Sequence, residues 1–309
     1  MMDYEEIPMA YTEKVRKAFN IWLMLFSVML SVVLSNVVYA VDNKSRASKE
    51  YVASDEKLIL INQLMELSGL TTQMASFPSR LKLSMSLAYA DSPYPMPVGD
   101  YEDILATTLS VYDEKKLLAD IRQYIYNNMK ESEIITVISW LRSPLGNKIS
   151  NLEGDSASAD AVEMQKIAHK LYANQGRMEI IKTLNREVGA ADVAVDISEY
   201  TQIAMMSSIN LVLNIGAPTS VSELSKLVKD SRIRIRPMIE QQMILSLLYS
   251  YRNLSNNELG LYLNFARSKD AHQYHEVLNE GITLAIKNAI HDCHDAITRL
   301  LNAKFVPLT

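Results

Sequence analysis

The residues best suited to chemistry lie near the C-terminus, in the run His291-Asp292-Cys293-His294-Asp295. On a helix, His291, His294 and Asp295 share one face, because residues three or four positions apart are separated by about one turn. Imidazole and carboxylate groups are the usual ligands of zinc and of several other transition metals. The spacing therefore indicates a candidate site for a divalent metal.

A second histidine pair, His272 and His275, precedes this run, so four of the five histidines lie in the last quarter of the chain. One metal ion could use both pairs only if they lie within about 10 Å of each other, since metal–ligand bonds are near 2 Å. Such a site would support a metal-dependent hydrolase. The alternative is a solvated helix face with no cofactor, because the chain has no HExxH or similar signature.

Other kinds of chemistry find little support in the residues. The sequence has no glycine-rich phosphate loop, and neither Ser143 nor Ser268 lies in a nucleophile elbow. The single cysteine, Cys293, excludes a disulfide within the chain. The net charge is −5 and no dense Lys/Arg block occurs, so nucleic acid is not an expected partner. No catalytic residue is assigned.

The elements that must position these side chains are helices. Apolar residues recur at i, i+3, i+4 and i+7 within Ile134–Leu141 and again within Leu259–Ala266. This spacing places one apolar stripe along each helix. Nine glycines and nine prolines are few breakers for 309 residues, which favours long helices over many turns. The sequence predicts an all-α fold.

The two halves of the sequence resemble each other in the same order of residues, which indicates a tandem duplication. Offsets of 120 and then 125 residues align the following pairs: Ile61 with Ile181, Leu64 with Leu184, Gly69 with Gly189, Tyr126 with Tyr251, Glu133 with Glu258, Trp140 with Phe265, and Arg142 with Arg267. We expect two units of four to five helices each, at residues 41–155 and 156–309. The stretch at 154–158 is the expected joint.

The two predicted copies differ at their helix boundaries. Ser255 and Glu258 form a capping box, whereas the first copy keeps Glu133 but has Lys130 at the cap position. The run Ser143-Pro144-Leu145-Gly146 should interrupt a helix, since proline lacks the N–H donor. In the second copy Lys269-Asp270-Ala271 replaces the Pro-x-Gly sequence, so we expect this break to be lost there.

The N-terminus has the pattern of an export signal. Lys14, Arg16 and Lys17 precede an apolar stretch, Ile21–Leu34, and Val38-Tyr39-Ala40 ends it with Val at −3 and the small Ala40 at −1 of the expected cleavage site. Residues 1–40 are therefore predicted to be a signal peptide. The alternative is an uncleaved anchor at residues 18–41, because the apolar stretch nearly reaches the length of a membrane span. Either reading predicts an exported, periplasmic protein, in the second case held at the inner membrane.

A family resemblance rests on part of this pattern. Glu133, the apolar stripe Ile134–Ile138, Trp140 and the Ser143–Gly146 sequence follow a Leu67-Ser68-Gly69-Leu70 helix end. Together they resemble the domain of unknown function 2059 over roughly residues 57–150. The resemblance implies a small helical domain in an exported bacterial protein and implies no reaction.

Taken together, the sequence favours a non-enzymatic interaction or binding module of the cell envelope. Its expected partner is a protein, a peptide or a lipid, and the oligomeric state is not indicated. The alternative function is the metal-dependent hydrolase that uses the C-terminal histidines.

Overall fold

A computed structural model describes residues 56–90, 97–156, 161–200 and 221–305, and these residues form helices without any strand. The first half contains α1 (Glu56–Leu67), α2 (Leu70–Ala90), α3 (Val98–Val111), α4 (Glu114–Asn128), α5 (Glu131–Leu141) and α6 (Pro144–Ser156). The second half contains α7 (Ala161–Tyr172), α8 (Gln175–Val188), α9 (190–200), α10 (Val221–Ser250), α11 (Asn256–Ala266) and α12 (Lys269–Phe305). The all-α prediction is confirmed. Each half of the described chain has six helices rather than four to five.

The predicted signal peptide at residues 1–40, the alternative anchor at residues 18–41 and the start of the first predicted unit, residues 41–55, all lie outside the described residues. Among the described helices, none combines the length and the apolar character that a membrane crossing requires.

The larger hydrophobic core draws on both halves of the chain. It includes Ile61 of α1, Phe77 of α2 and Ile121 of α4, together with Ile286 and Ile297 of α12, all of them buried. A second core joins α8, the end of α10 and α11, and Ile149 of α6 belongs to it. Each core therefore contains side chains from the last helix of the other half.

The packing of the last helices is reciprocal. Helix α6 packs against α10 and α11 of the second half, while α12 packs against α3, α4 and α5 of the first half. The boundary near residue 155 divides the sequence, but the halves interlock through α6 and α12.

The short turn between α5 and α6 recurs between α11 and α12. Helices α5 and α11 end at Arg142 and Arg267, and both caps have right-handed helical dihedrals. In each turn a serine follows, and its hydroxyl accepts a hydrogen bond from an amide three residues later, at 3.1 Å for Ser143 and 3.4 Å for Ser268. The expectation that the second copy loses this break was wrong. A serine cap starts the next helix without proline or glycine.

Glycine ends the equivalent helices α1 and α8. Gly69 and Gly189 have φ of 74° and 70°, a left-handed conformation that other residues adopt at a cost. Each glycine turns the chain directly into the next helix. The turn after α8 is further tied by Asn279 of α12, whose side-chain amide donates to the Val188 carbonyl at 2.7 Å.

Candidate functional site

The described structure encloses a cavity of about 160 Å³ where the two halves meet. Its walls come from α2, α5 and α6 of the first half and from the end of α8 together with α9, α10, α11 and α12 of the second. No single helix forms it, because its lining residues are far apart in sequence and come together only through the exchange of α6 and α12.

The lining contains many positions that the sequence offsets of 120 and 125 relate to each other. Eight such pairs are Ser68 and Val188, Leu70 and Ala190, Gln73 and Val193, Val137 and Tyr262, Trp140 and Phe265, Ile149 and Tyr274, Ser150 and His275, and Glu153 and Leu278. Within most pairs one residue is polar or aromatic and the other is apolar. The backbone positions around the cavity are therefore matched between the halves, whereas most of the paired side chains differ in polarity.

Glu153, in the last turns of α6, is the only Asp or Glu among the described lining residues. One of its oxygens, Oε1, accepts hydrogen bonds from the hydroxyl of Tyr251 and, at 3.4 Å, from the hydroxyl of Tyr262. Removal from bulk water raises the pKa of Glu153 to about 7, although the two phenols favour the ionised form. The carboxyl group can therefore gain or lose its proton near neutral pH.

His275 lies across the site on α12. Its Nε2 atom is buried and has no hydrogen-bond partner, and burial lowers its pKa to about 4, with His272 nearby adding to the effect. The imidazole is therefore neutral at physiological pH. A buried polar atom without a partner costs about 1–3 kcal/mol, so a ligand that reached Nε2 would remove this cost.

Aromatic rings form much of the remaining wall. The rings of Trp140 and Phe265 are stacked, with centroids 4.3 Å apart and planes 15° apart. Tyr251 and Tyr262 meet edge to face at 6.0 Å. Burial raises the pKa of Tyr274 to about 12, so its hydroxyl stays protonated beside Ser68. The arrangement offers apolar contact together with a few converging polar groups, which is typical of ligand pockets.

The structure separates the histidines that were expected to share a metal. All four lie on the continuous helix α12, and His275 precedes His291 by sixteen residues, about 24 Å at 1.5 Å per residue. The predicted joint site of His272, His275, His291, His294 and Asp295 is corrected accordingly, since one ion cannot bridge this distance. The two pairs could meet only if the helix were broken.

The C-terminal group itself is loosely arranged. His291 Nδ1 lies 3.6 Å from the carboxylate of Asp295, and the His291 side chain is largely exposed. Among the described residues, no three His, Cys, Asp or Glu side chains converge as metal ligands would. Asp292 instead pairs with Lys116 of α4. The geometry therefore gives no support to a hydrolase at this place.

Cys293 is buried under α3. Its thiol lies 3.9 Å from the hydroxyl of Thr108, and burial raises its pKa to about 12. A thiol with this pKa is a poor nucleophile, because the thiolate is the reactive form.

Sequence reasoning missed Glu153, which lies directly before the expected joint at residues 154–158. A signal was present, however: Leu145, Ile149 and Glu153 follow one another at intervals of four residues. Glu153 therefore continues the apolar stripe of α6, and a carboxylate on such a stripe points toward the interior.

Comparison with known protein families, curated proteins and solved structures finds no match to this chain.

Proposed function

We propose that the protein is a non-enzymatic binding protein of the cell envelope, and that it holds a small ligand in the cavity between its two halves. The observation that carries this proposal is the cavity itself, whose aromatic and aliphatic walls converge with Glu153, Tyr251 and His275. A pocket with few polar groups in an apolar wall suits recognition. Among the described lining residues, His275 Nε2 has no hydrogen-bond partner, so this imidazole nitrogen is not paired with a nucleophile as acyl transfer would need.

The proposal includes an origin by tandem duplication. Three structural similarities support it. Helices α5 and α11 have the same length at an offset of 125, and Gly69 and Gly189 share their conformation. In addition, the Lys57 side chain donates to the Tyr126 carbonyl, as the Arg177 side chain does to the Tyr251 carbonyl. Trp140 and Phe265 are equivalent by the same offset and contact each other. Residues that meet their own equivalents lie beside a two-fold axis, so the cavity would lie near such an axis.

Export is the other part of the proposal. Lys14, Arg16 and Lys17 before an apolar stretch support transfer of the following residues across the membrane. If cleavage follows Ala40, protein recovered from the periplasm should begin at Val41. If residues 18–41 act as an anchor, the chain should stay in the membrane fraction with its N-terminus intact. Recovery of the full chain from the cytoplasm alone would contradict both.

A neutral small probe tests the binding function. Benzyl alcohol, in excess over the protein, should raise the unfolding temperature of the wild-type chain, because a ligand that binds only the folded state stabilises it. Val193→Phe, which fills the cavity from α9, should abolish this rise. Ile135→Phe is the matched control, since Ile135 is exposed on α5 and does not line the cavity.

The test has two adverse outcomes. If benzyl alcohol shifts neither the wild-type protein nor the control, the cavity does not take up small molecules and the proposed function is wrong. If Val193→Phe responds as strongly as the wild type does, the probe binds elsewhere and the cavity is not the site.

A further inference from the structure

The chemistry of the cavity wall is uneven in charge. The described lining residues include one carboxyl group, Glu153, and neither lysine nor arginine. His275 is neutral at physiological pH. A small anion would therefore meet no positive side chain in this wall and would lie near a carboxylate, which is unfavourable at low dielectric. The wall favours a neutral or a positively charged ligand.

The surroundings of Glu153 favour the positive ligand. Tyr251 and Tyr262 both donate to one carboxylate oxygen, Oε1, and so favour the ionised form of Glu153. An ammonium group against this carboxylate would form an ion pair away from bulk water, where the attraction between opposite charges is strong. Aromatic rings also attract cations, through the negative face of their π-systems.

The rest of the wall sets the size and shape of the ligand. Trp140 and Phe265 present stacked aromatic rings, and the aliphatic side chains of Val193 and Leu278 lie among the other lining residues. A cavity of about 150 Å³ with an apolar lining accommodates a benzene-sized molecule. The ligand therefore has an apolar body of roughly six to eight non-hydrogen atoms by that comparison.

We propose that the cavity binds a small organic cation, a protonated monoamine whose ammonium group lies against Glu153 and whose apolar body packs on Trp140 and Phe265. The position that the offset of 125 relates to Glu153 is Leu278, which has no charge. The ammonium group therefore has a single carboxylate to pair with among the described lining residues, and the amine binds in one orientation. This inference rests on the proposed function of the cavity.

Three probes of the same shape and different charge test it on the full chain: benzylamine, benzyl alcohol and benzoate. Calorimetric titrations at about pH 8 keep the amine protonated and Glu153 largely ionised. The wild-type protein should bind benzylamine at least about tenfold more tightly than benzyl alcohol, a difference of about 1.4 kcal/mol. Benzoate should show the weakest binding of the three.

Two variants locate the charge that selects the amine. Glu153→Gln should bind benzylamine and benzyl alcohol equally, because the amide keeps the shape of the side chain and loses its charge. Glu276→Gln should keep the wild-type preference, since Glu276 is exposed on α12 and does not line the cavity.

The outcomes separate this inference from the function on which it rests. Equal binding of amine and alcohol by the wild-type protein overturns the cationic ligand and leaves small-molecule binding intact. If neither probe binds the wild-type protein, both proposals fail. A preference for benzylamine that persists in Glu153→Gln overturns the assignment to Glu153. The wild-type titrations decide the first two cases even if a variant fails to fold.

Discussion

The two sides of the cavity have matched backbones and different side chains. The turns that follow Gly69 and Gly189 are alike, as are the caps at Arg142 and Arg267. At the lining positions, by contrast, Glu153 corresponds to Leu278 and His275 corresponds to Ser150. The turns therefore share their geometry, while the side chains at these lining positions differ. A scaffold with two similar halves offers one asymmetric pocket.

The largest expected effect comes from replacing Glu153 by glutamine. Its pKa rises from 4.5 to about 7 on folding, so the folded protein binds this proton more tightly than the unfolded chain does. Its contribution to stability is full below about pH 4.5 and is lost as the pH rises through 7. Glu153→Gln should therefore be more stable than the wild type by about 3 kcal/mol at pH 8, and nearly equal to it at pH 4.

Urea unfolding of both proteins at the two pH values measures this difference. The titratable groups that interact with Glu153 are Tyr251 in the turn after α10, Tyr262 on α11 and Tyr274 on α12, and His275 of α12 lines the same cavity. None of these four becomes charged between pH 7 and 9. Glu276→Gln serves as the exposed control and should show no such pH dependence. A Glu153→Gln protein that gains no stability at pH 8 would show that the carboxyl group is not held in a poorly hydrated place.

His275, on the opposite side, should give the reverse dependence at about 2–3 kcal/mol. Its pKa falls from 6.5 to about 4 on folding, because burial disfavours the charged ring. The stability that it contributes is complete above about pH 6.5 and is lost as the pH falls through 4. His275→Gln should therefore lose less stability than the wild type between pH 7 and pH 4.

The same urea measurements decide this case. His291→Gln is the matched control, since His291 is largely exposed on the same helix. Should the His275 variant follow the wild-type curve at every pH, the imidazole would have to be hydrated and the site more open than the structure indicates.

The third comparison contrasts Gly146 with Gly260. A Cβ atom at Gly146 would lie 2.1 Å from the carbonyl oxygen of Trp140, so the α5–α6 turn would have to move. Overpacking of this kind costs about 1–3 kcal/mol, and we expect about 2 kcal/mol for Gly146→Ala. At Gly260, within α11, a Cβ atom meets nothing within 4 Å, so Gly260→Ala should stabilise the protein by about 0.5–1 kcal/mol.

Thermal and urea unfolding should show the two alanine variants shifting in opposite directions. Similar shifts in both would mean that the turn at Gly146 yields easily and that the close approach of the backbone is not needed. Ala271, which occupies the equivalent place in the second half, makes this comparison informative, because a similar turn there tolerates a Cβ atom.

Local signals predicted the local structure well. The apolar spacing predicted α5 and α11, and the capping box at Ser255 and Glu258 forms as expected. The exchange of α6 and α12 had no such signal, because it depends on contacts between residues distant in sequence, such as Glu153 with Tyr251, 98 positions apart, and Lys116 with Asp292, 176 positions apart. The cavity results from that exchange. A single lining residue such as Glu153 could be predicted to point inward from its place on the apolar stripe of α6, but the set of residues that line the cavity could not be predicted. The joint metal site was predicted because the two histidine pairs are close in sequence. They lie on one continuous helix, α12, which holds the two pairs apart in space.

The smallest expected effect contrasts the starts of α5 and α11. Ser255 accepts from the Glu258 amide at 3.2 Å, and the Glu258 carboxylate accepts from the Ser255 amide at 2.7 Å. At α5 the carboxylate of Glu133 accepts from the Lys130 amide at 2.8 Å, but lysine has no acceptor to return the bond. Ser255→Ala should therefore cost about 1 kcal/mol, whereas Lys130→Ala should change stability by less than about 0.5 kcal/mol.

Urea midpoints of the two variants measure this contrast directly. Ser255→Asn should recover most of the loss, since asparagine caps helices about as well as serine. The Glu258 carboxylate also pairs with Lys148 of α6, and this ion pair, together with the hydrogen bonds from Ser255, lowers the pKa of Glu258 to about 2. If Ser255→Ala costs no more than Lys130→Ala, the ion pair between Lys148 and Glu258, rather than the serine cap, fixes the start of α11. The starts of α5 and α11 would then not differ in how much the cap residue stabilises them.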